Sequence, residues 1–330
     1  MRSKITYQIL LFLFLICVPF ITAQTTTIRV TLLGTGAPVP SIERFGPSVL
    51  VEAGGQKLLF DCGRGAAQRL WQLKIPLGQI DALFLTHLHS DHVVGIPDLW
   101  LTGCIPAAYG RRENPLQVFG PGGTKEMMDG LAKAFSWDIN TRSKEKNKVD
   151  SGAVVNATNI TEGFIWEKDG IKVTPFIVSH ADFIDSVLGY RIEYAGYSVI
   201  LSGDTRYSEN LIRYSIGADV IIHEVAAANE QSMQTSPLIN QILGFHSSPE
   251  DAGKVFARTK PRLAVYSHIV LLTSDPTIPP PTTNDLISRS QKIYNGALMV
   301  GEDLLSIEIS DKINVTKFSV TGKSLNEIIK

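Results

Sequence analysis

Residues 86–92 read Thr-His-Leu-His-Ser-Asp-His and follow at once on the apolar run Ala82–Leu85. No other feature of the chain restricts its fold so tightly. Polar groups withdrawn from water cost free energy unless they are hydrogen-bonded or bound to a cation. A cluster of three imidazoles and a carboxylate therefore needs partners if it is buried. The run before it has strand length, which places the cluster at a strand end. His87 and His89, two residues apart, can point the same way, and Asp91 and His92 come from the turn into the next helix. One loop then offers two ligands to each of two adjacent metal ions. Imidazole and carboxylate together suit zinc. A polar surface loop is the competing reading of the same residues.

The same arrangement recurs downstream. Ser179-His180 ends the apolar run Ile171–Val178, Ser202-Gly203-Asp204-Thr205 ends Tyr197–Leu201, and Ser267-His268 ends Leu263–Tyr266. Taken singly, His180 and His268 read equally well as ligands or as ordinary polar residues; their shared position at strand ends favours ligation. Asp204 reads either as a ligand or as a cap for a helix over Tyr207–Tyr214. His246 precedes Ser-Ser-Pro-Glu, a helix start. It is a candidate proton donor, with Glu224, after the strand Val220–Ile222, as the carboxylate that would orient it.

Around these positions short strand-like runs alternate with helical patterns. Ser48–Ala53 and Lys57–Phe60 flank Gly54-Gly55, a hairpin signal. Helices are expected over Ala66–Leu73, Thr124–Phe135, Pro249–Ala257 and Asn284–Tyr294. Gly103–Arg112 and Ala226–Phe245 are irregular and are expected to be loops at the rim of the site. The order of elements predicts an α/β architecture, two mixed β-sheets packed face to face with helices outside. With 330 residues, 44% of them hydrophobic, the chain can bury such a core.

The formal net charge is −1, from 31 basic and 32 acidic residues, and no strong nucleic-acid binding is expected from it. Two basic clusters, Arg111-Arg112 and Arg142 to Lys148, read as solvated loop charge. Arg2 and Lys4, the apolar run Ile9–Phe20 and Ala23 describe a secretory signal peptide over residues 1–23, followed by a hydrolase domain over 24–330. The apolar run is short for a membrane span, so no stable span is expected after cleavage, and the product would be secreted or periplasmic. A homodimer is left open.

The set His87-x-His89-x-Asp91-His92, with His180, Asp204 and His268, resembles the metallo-β-lactamase superfamily. Leu33-Gly34-Thr35-Gly36, Phe60-Asp61-Cys62-Gly63, His223-Glu224 and His246-Ser247-Ser248-Pro249 resemble its ribonuclease Z branch and secreted arylsulfatase-like relatives. The resemblance runs from about Ile28 to Ile309 and implies an αββα sandwich with two zinc ions. It implies that His87, His89 and His180 hold one ion, that Asp91, His92 and His268 hold the other, and that Asp204 bridges them. His246 then stands at the branch's catalytic histidine, beside Asp91 and Glu224 in the working site, and Asp61 supports the ligands.

The implied activity is hydrolysis of phosphodiester or sulfate-ester bonds in a small-molecule or extracellular ester, by water activated at the metals. An acyl hydrolase such as a lactonase, or a non-catalytic metal-binding protein, are the other readings. Three departures stand out. No Gly/Pro-rich RNA-gripping arm lies between His92 and His180, Arg64 replaces the usual acidic residue, and Ile-Val-Leu-Leu follows His268.

Overall fold

The computed structural model describes residues 26–144, 151–184, 186–318 and 324–328; the leader expected over 1–23 lies outside them. No helix among the described residues is long and apolar enough to cross a membrane. Two sheets dominate. The first is ordered β16-β15-β14-β1-β2-β3-β4-β5-β6 and the second β13-β12-β11-β10-β9-β8-β7. In chain order, β1 to β6 are Ile28–Gly34, Ser48–Ala53, Gln56–Phe60, Ala82–Phe84, Leu116–Gly120 and Val155–Asn159. Trp166–Lys168, Ile171–Val178, Val187–Tyr194, Tyr197–Leu201, Val220–Ala228 and Leu263–Leu272 are β7 to β12. Leu298–Val300, Leu305–Ile309, Ile313–Phe318 and Ser324–Ile328 complete the set as β13 to β16. The helices α1 to α9 are Ala66–Gln72, Ser90–Val93, Thr124–Ala134, Ser136–Arg142, Glu209–Ser215, Glu230–Thr235, Pro237–Leu243, Pro249–Thr259 and Thr283–Ser290.

Side-chain alternation along the strands creates the layers. Leu58 and Phe60 of β3 and Val220 and Ile222 of β11 face the slab between the sheets. Leu59 of β3 faces the outer layer of α1 and α3, and Ile221 of β11 faces α5, α8 and α9. The result is the αββα order expected, with apolar surface removed from water on both faces of each sheet. Gly54 and Gly55, at φ 53° and 82°, make the β2–β3 turn in the left-handed conformation that side chains avoid.

Several local expectations are corrected. Residues 226–245 are not an irregular loop: β11 runs on to Ala228, and α6 and α7 follow. Gly103–Arg112 does not rim the site. It packs at the opposite end of β4, where Arg112 donates to the Leu77 and Ile80 carbonyls at 2.7 Å each. Arg112 is accordingly buried rather than solvated. Strand β12 continues past Tyr266 to Leu272, so His268 lies inside a strand.

The two sheets are stitched together just below the metal-type residues. The Tyr190 hydroxyl of β9 donates to the Leu85 carbonyl at 2.5 Å, and the Leu188 amide donates to the Thr86 carbonyl at 2.8 Å. A second tie, Asp303, fixes both ends of the segment 36–45. Its carboxylate accepts from the Thr35 and Phe45 amides and the Thr35 hydroxyl, and forms a buried pair with Arg69 at 2.9 Å. Removing one partner of a buried pair strands the other's charge. Asp303→Ala is therefore expected to lower stability by about 3–5 kcal/mol, read from the urea unfolding midpoint; an unshifted midpoint contradicts this account of Asp303.

Candidate metal centre

The loop after β4 is shaped by its neighbours. Asp61, just past β3, accepts from the Thr86 amide and hydroxyl at 2.8 Å each. The Cys62 amide donates to the His92 carbonyl at 2.7 Å, which draws the short helix α2 down onto the end of β3. Gly63 permits that approach, since a Cβ there would lie 2.5 Å from the Asp91 carbonyl oxygen.

Seven side chains named from the sequence converge. His87, His89 and His180 form one group, and Asp91, His92 and His268 another, each able to hold a metal ion with ligand atoms within 4.8 Å of one another. His87 Nε2 is 2.9 Å from His89 Nδ1. Asp204 stands between the groups: its Oδ2 is 3.9 Å from His87 Nε2, 3.4 Å from His92 Nε2 and 3.2 Å from His268 Nε2. Asp204 does not cap a helix, for Ser208 takes that role at α5. His268 reaches the site through a bulge. Ser267 pairs with Glu224 and Ile269 with Val225, so His268 is an extra residue in β12, at φ 43°.

These residues fit cations. Among the described residues, the buried Asp61, Asp91 and Asp204 form ion pairs with histidine alone and with no Lys or Arg. Buried carboxylates of that kind call for a positive partner. His92 Nε2 is buried without a hydrogen bond while its Nδ1 sits 2.8 Å from Asp61, the orientation that frees Nε2 for a metal. His180 is set in the same way, with Nδ1 2.7 Å from the Phe245 carbonyl. Burial lowers the pKa of His87, His89 and His180 and keeps them in the neutral form that ligates. Burial alone would raise Asp204, but His268 and His92 beside it hold it well below the usual carboxylate range. Neither the Thr86 hydroxyl nor the Phe245 carbonyl was legible as a site group: one is a common residue beside the cluster, the other a backbone atom.

The structure also brings His246 and Glu224 together. His246 Nδ1 lies 3.2 Å from both Glu224 oxygens, and its ring centroid is 5.6 Å from that of His268. Glu224 is fixed in turn by the Thr205 amide at 2.9 Å and the Ser247 amide at 3.1 Å. Burial works against a charged His246, yet the facing Glu224 outweighs it and lifts the pKa to about 9. A protonated imidazole beside a cation-binding cluster can donate to a leaving oxygen. His223 turns away, its ring against Phe256.

Comparison with known proteins agrees with this geometry. The beta-lactamase superfamily domain matches residues 56–269. Ribonuclease Z of Mycolicibacterium gilvum (strain PYR-GCK) is 34% identical over 282 residues, 86% of this chain and 96% of that protein. Among solved structures, the metallo-beta-lactamase fold protein YhfI of Bacillus subtilis superposes with a TM-score of 0.65 at 18% identity, covering 86% of this chain and 100% of that one. Human tRNase Z, short form, gives 0.61 at 20% identity, covering 86% and 98%. The ribonuclease relatives overturn the expectation of no strong nucleic-acid binding. Net charge sums the whole surface, whereas cations held by neutral imidazoles add local positive charge that no sequence total records.

Asp61→Asn, which weakens the hold on His92, is expected to lower metal affinity about 10–100-fold in a chelator competition. Unchanged affinity would remove Asp61 from the support of the site. Sequence, fold and site place the chain in the beta-lactamase superfamily, among relatives named ribonuclease Z, as a metal-dependent hydrolase of ester bonds.

Proposed function

We propose that this chain hydrolyses phosphodiester bonds in RNA at a centre of two zinc ions. The observation that carries the reading is the place of Asp204, between one group of three histidines and another of two histidines and Asp91. A shared carboxylate between two ligand sets suits a pair of divalent ions. His87, His89 and His180 would hold one, Asp91, His92 and His268 the other, and Asp204 both. When bound, such a pair supplies Lewis acidity and makes water nucleophilic near neutral pH. The relatives named ribonuclease Z favour phosphorus over sulfur or carbon as the centre attacked.

The chain's own groups do the remaining work. Glu224 accepts from His246 Nδ1 and holds the ring so that Nε2 faces the leaving oxygen. His246 gives its proton to that oxygen as the ester bond breaks. Asp61 and the Phe245 carbonyl keep His92 and His180 turned toward the centre. Thr86, Tyr190 and Leu188 hold the cluster loop against the second sheet, which keeps both ligand sets in register.

Purified protein of measured zinc content, assayed on a phosphodiester, an aryl sulfate and a lactone with and without chelator, tests the reading. Phosphodiester turnover abolished by chelation is expected. A lactone preference would overturn the substrate, and no turnover of any ester at full zinc content would favour a non-catalytic metal-binding protein. His246→Ala is expected to lower turnover about 10²–10⁴-fold with zinc content intact; joint loss of zinc would make His246 a ligand instead.

A further inference from the structure

An apolar bay of about 460 Å³ opens beside the metal-type residues, sharing His89, His180, His246 and His268 with them. Its far wall is made by Pro38 and Val39 of the segment 36–45, by Ile242 and Phe245 at the end of α7, and by Val270 and Leu272 of β12. The volume falls within the roughly 300–1,000 Å³ of small-molecule pockets. A phosphate has no use for such a wall; a ring attached to the phosphate through its sugar does.

Two further features point the same way. Val39 is 69% exposed and Phe183 is 71% exposed, both beside the site. Phe183 meets Phe245 edge to face, with centroids 5.5 Å apart. Exposed apolar side chains gathered at a polar centre mark a recognition surface. The segment carrying Val39 is pinned at both ends, by Asp303 and by the Gly36 amide, which donates to the Phe45 carbonyl at 2.8 Å. The wall is thus held in place rather than left loose. Arg44, the one Lys or Arg among the residues lining the bay, is committed to the Thr35 hydroxyl and the Gly301 carbonyl at 2.7 Å each. The bay itself therefore offers apolar contact and not a second phosphate site.

Building on the RNA reading above, we infer that the bay seats an unpaired nucleobase next to the scissile phosphate. Every base has a π-face, so an apolar wall with an aromatic ring accepts it without strong sequence preference. His246 and the ligand cluster then meet the phosphate from the opposite side. This makes Val39 and Ile242 specificity-determining residues that touch the base and leave the phosphate alone.

The test is calorimetric binding to zinc-loaded protein of adenosine 5′-monophosphate, ribose 5-phosphate and phenyl phosphate. Adenosine monophosphate is expected to bind about tenfold or more tightly than ribose 5-phosphate. Ile242→Asn and, separately, Val39→Asn are expected to erase most of that advantage while the ribose phosphate affinity and zinc content hold. Equal binding of the nucleotide and ribose phosphate overturns the inference, as does an equal loss of both in the variants. Phenyl phosphate matching the nucleotide would give the bay to aryl esters instead. Failure of the RNA reading is separate: it would appear as absent phosphodiester turnover, whereas phosphodiester turnover with no preference for the base sinks only the bay.

Discussion

Three buried carboxylates, Asp61, Asp91 and Asp204, face histidines at the mouth of a β-sandwich. Such a grouping is costly in a low-dielectric interior unless positive charge is held there too. Much of the surrounding structure reads as the means of meeting that constraint. Both sheets present the ends of their strands at the same place. β4 brings His87 and His89, β8 brings His180, β10 brings Asp204, and β12 brings His268. The inter-sheet slab of Phe60, Phe84 and Tyr190 sets the distance between the two contributions.

The same economy extends outward from the ligands. Asp61 orients His92, the Phe245 carbonyl orients His180, and Glu224 orients His246. Each of these partners is itself held by backbone amides or by a helix end. Rings aimed by fixed neighbours lose little freedom when a cation or substrate arrives, and this is what preorganisation means at such a centre. The bulge at His268 belongs to the same scheme. An extra residue lets one imidazole turn inward while β12 continues beyond it and supplies the apolar wall of Val270 and Leu272.

Much of this was legible in the sequence because metal-type residues followed apolar runs of strand length. Thr86 to His92, Ser179-His180 and Ser202 to Thr205 all fall where a strand ends. His268 was legible as a site residue but not in its setting. Ile-Val-Leu-Leu after it is strand sequence, and the strand does continue; only the pairing with β11 reveals the bulge. The pairing of Glu224 with His246 was suggested by chain order, since one follows a strand and the other precedes a helix. The rim was not legible. Gly103–Arg112 looked like a site loop because its sequence is irregular, yet long-range hydrogen bonds from Arg112 carry it to the far end of the sheet. Residues 226–245 hide two short helices whose caps, Asn229 and Ser236, are ordinary turn residues in isolation. Net charge misled most, since it counts side chains and not the ions that side chains bind.

X-ray absorption at the zinc edge of the purified protein, combined with metal quantitation, tests the central claim most directly. Two zinc ions per chain are expected, with imidazole and carboxylate ligands and a metal–metal separation of roughly 3.5–4 Å. A single ion per chain, or two ions with no metal–metal scattering at that range, would contradict a centre bridged by Asp204.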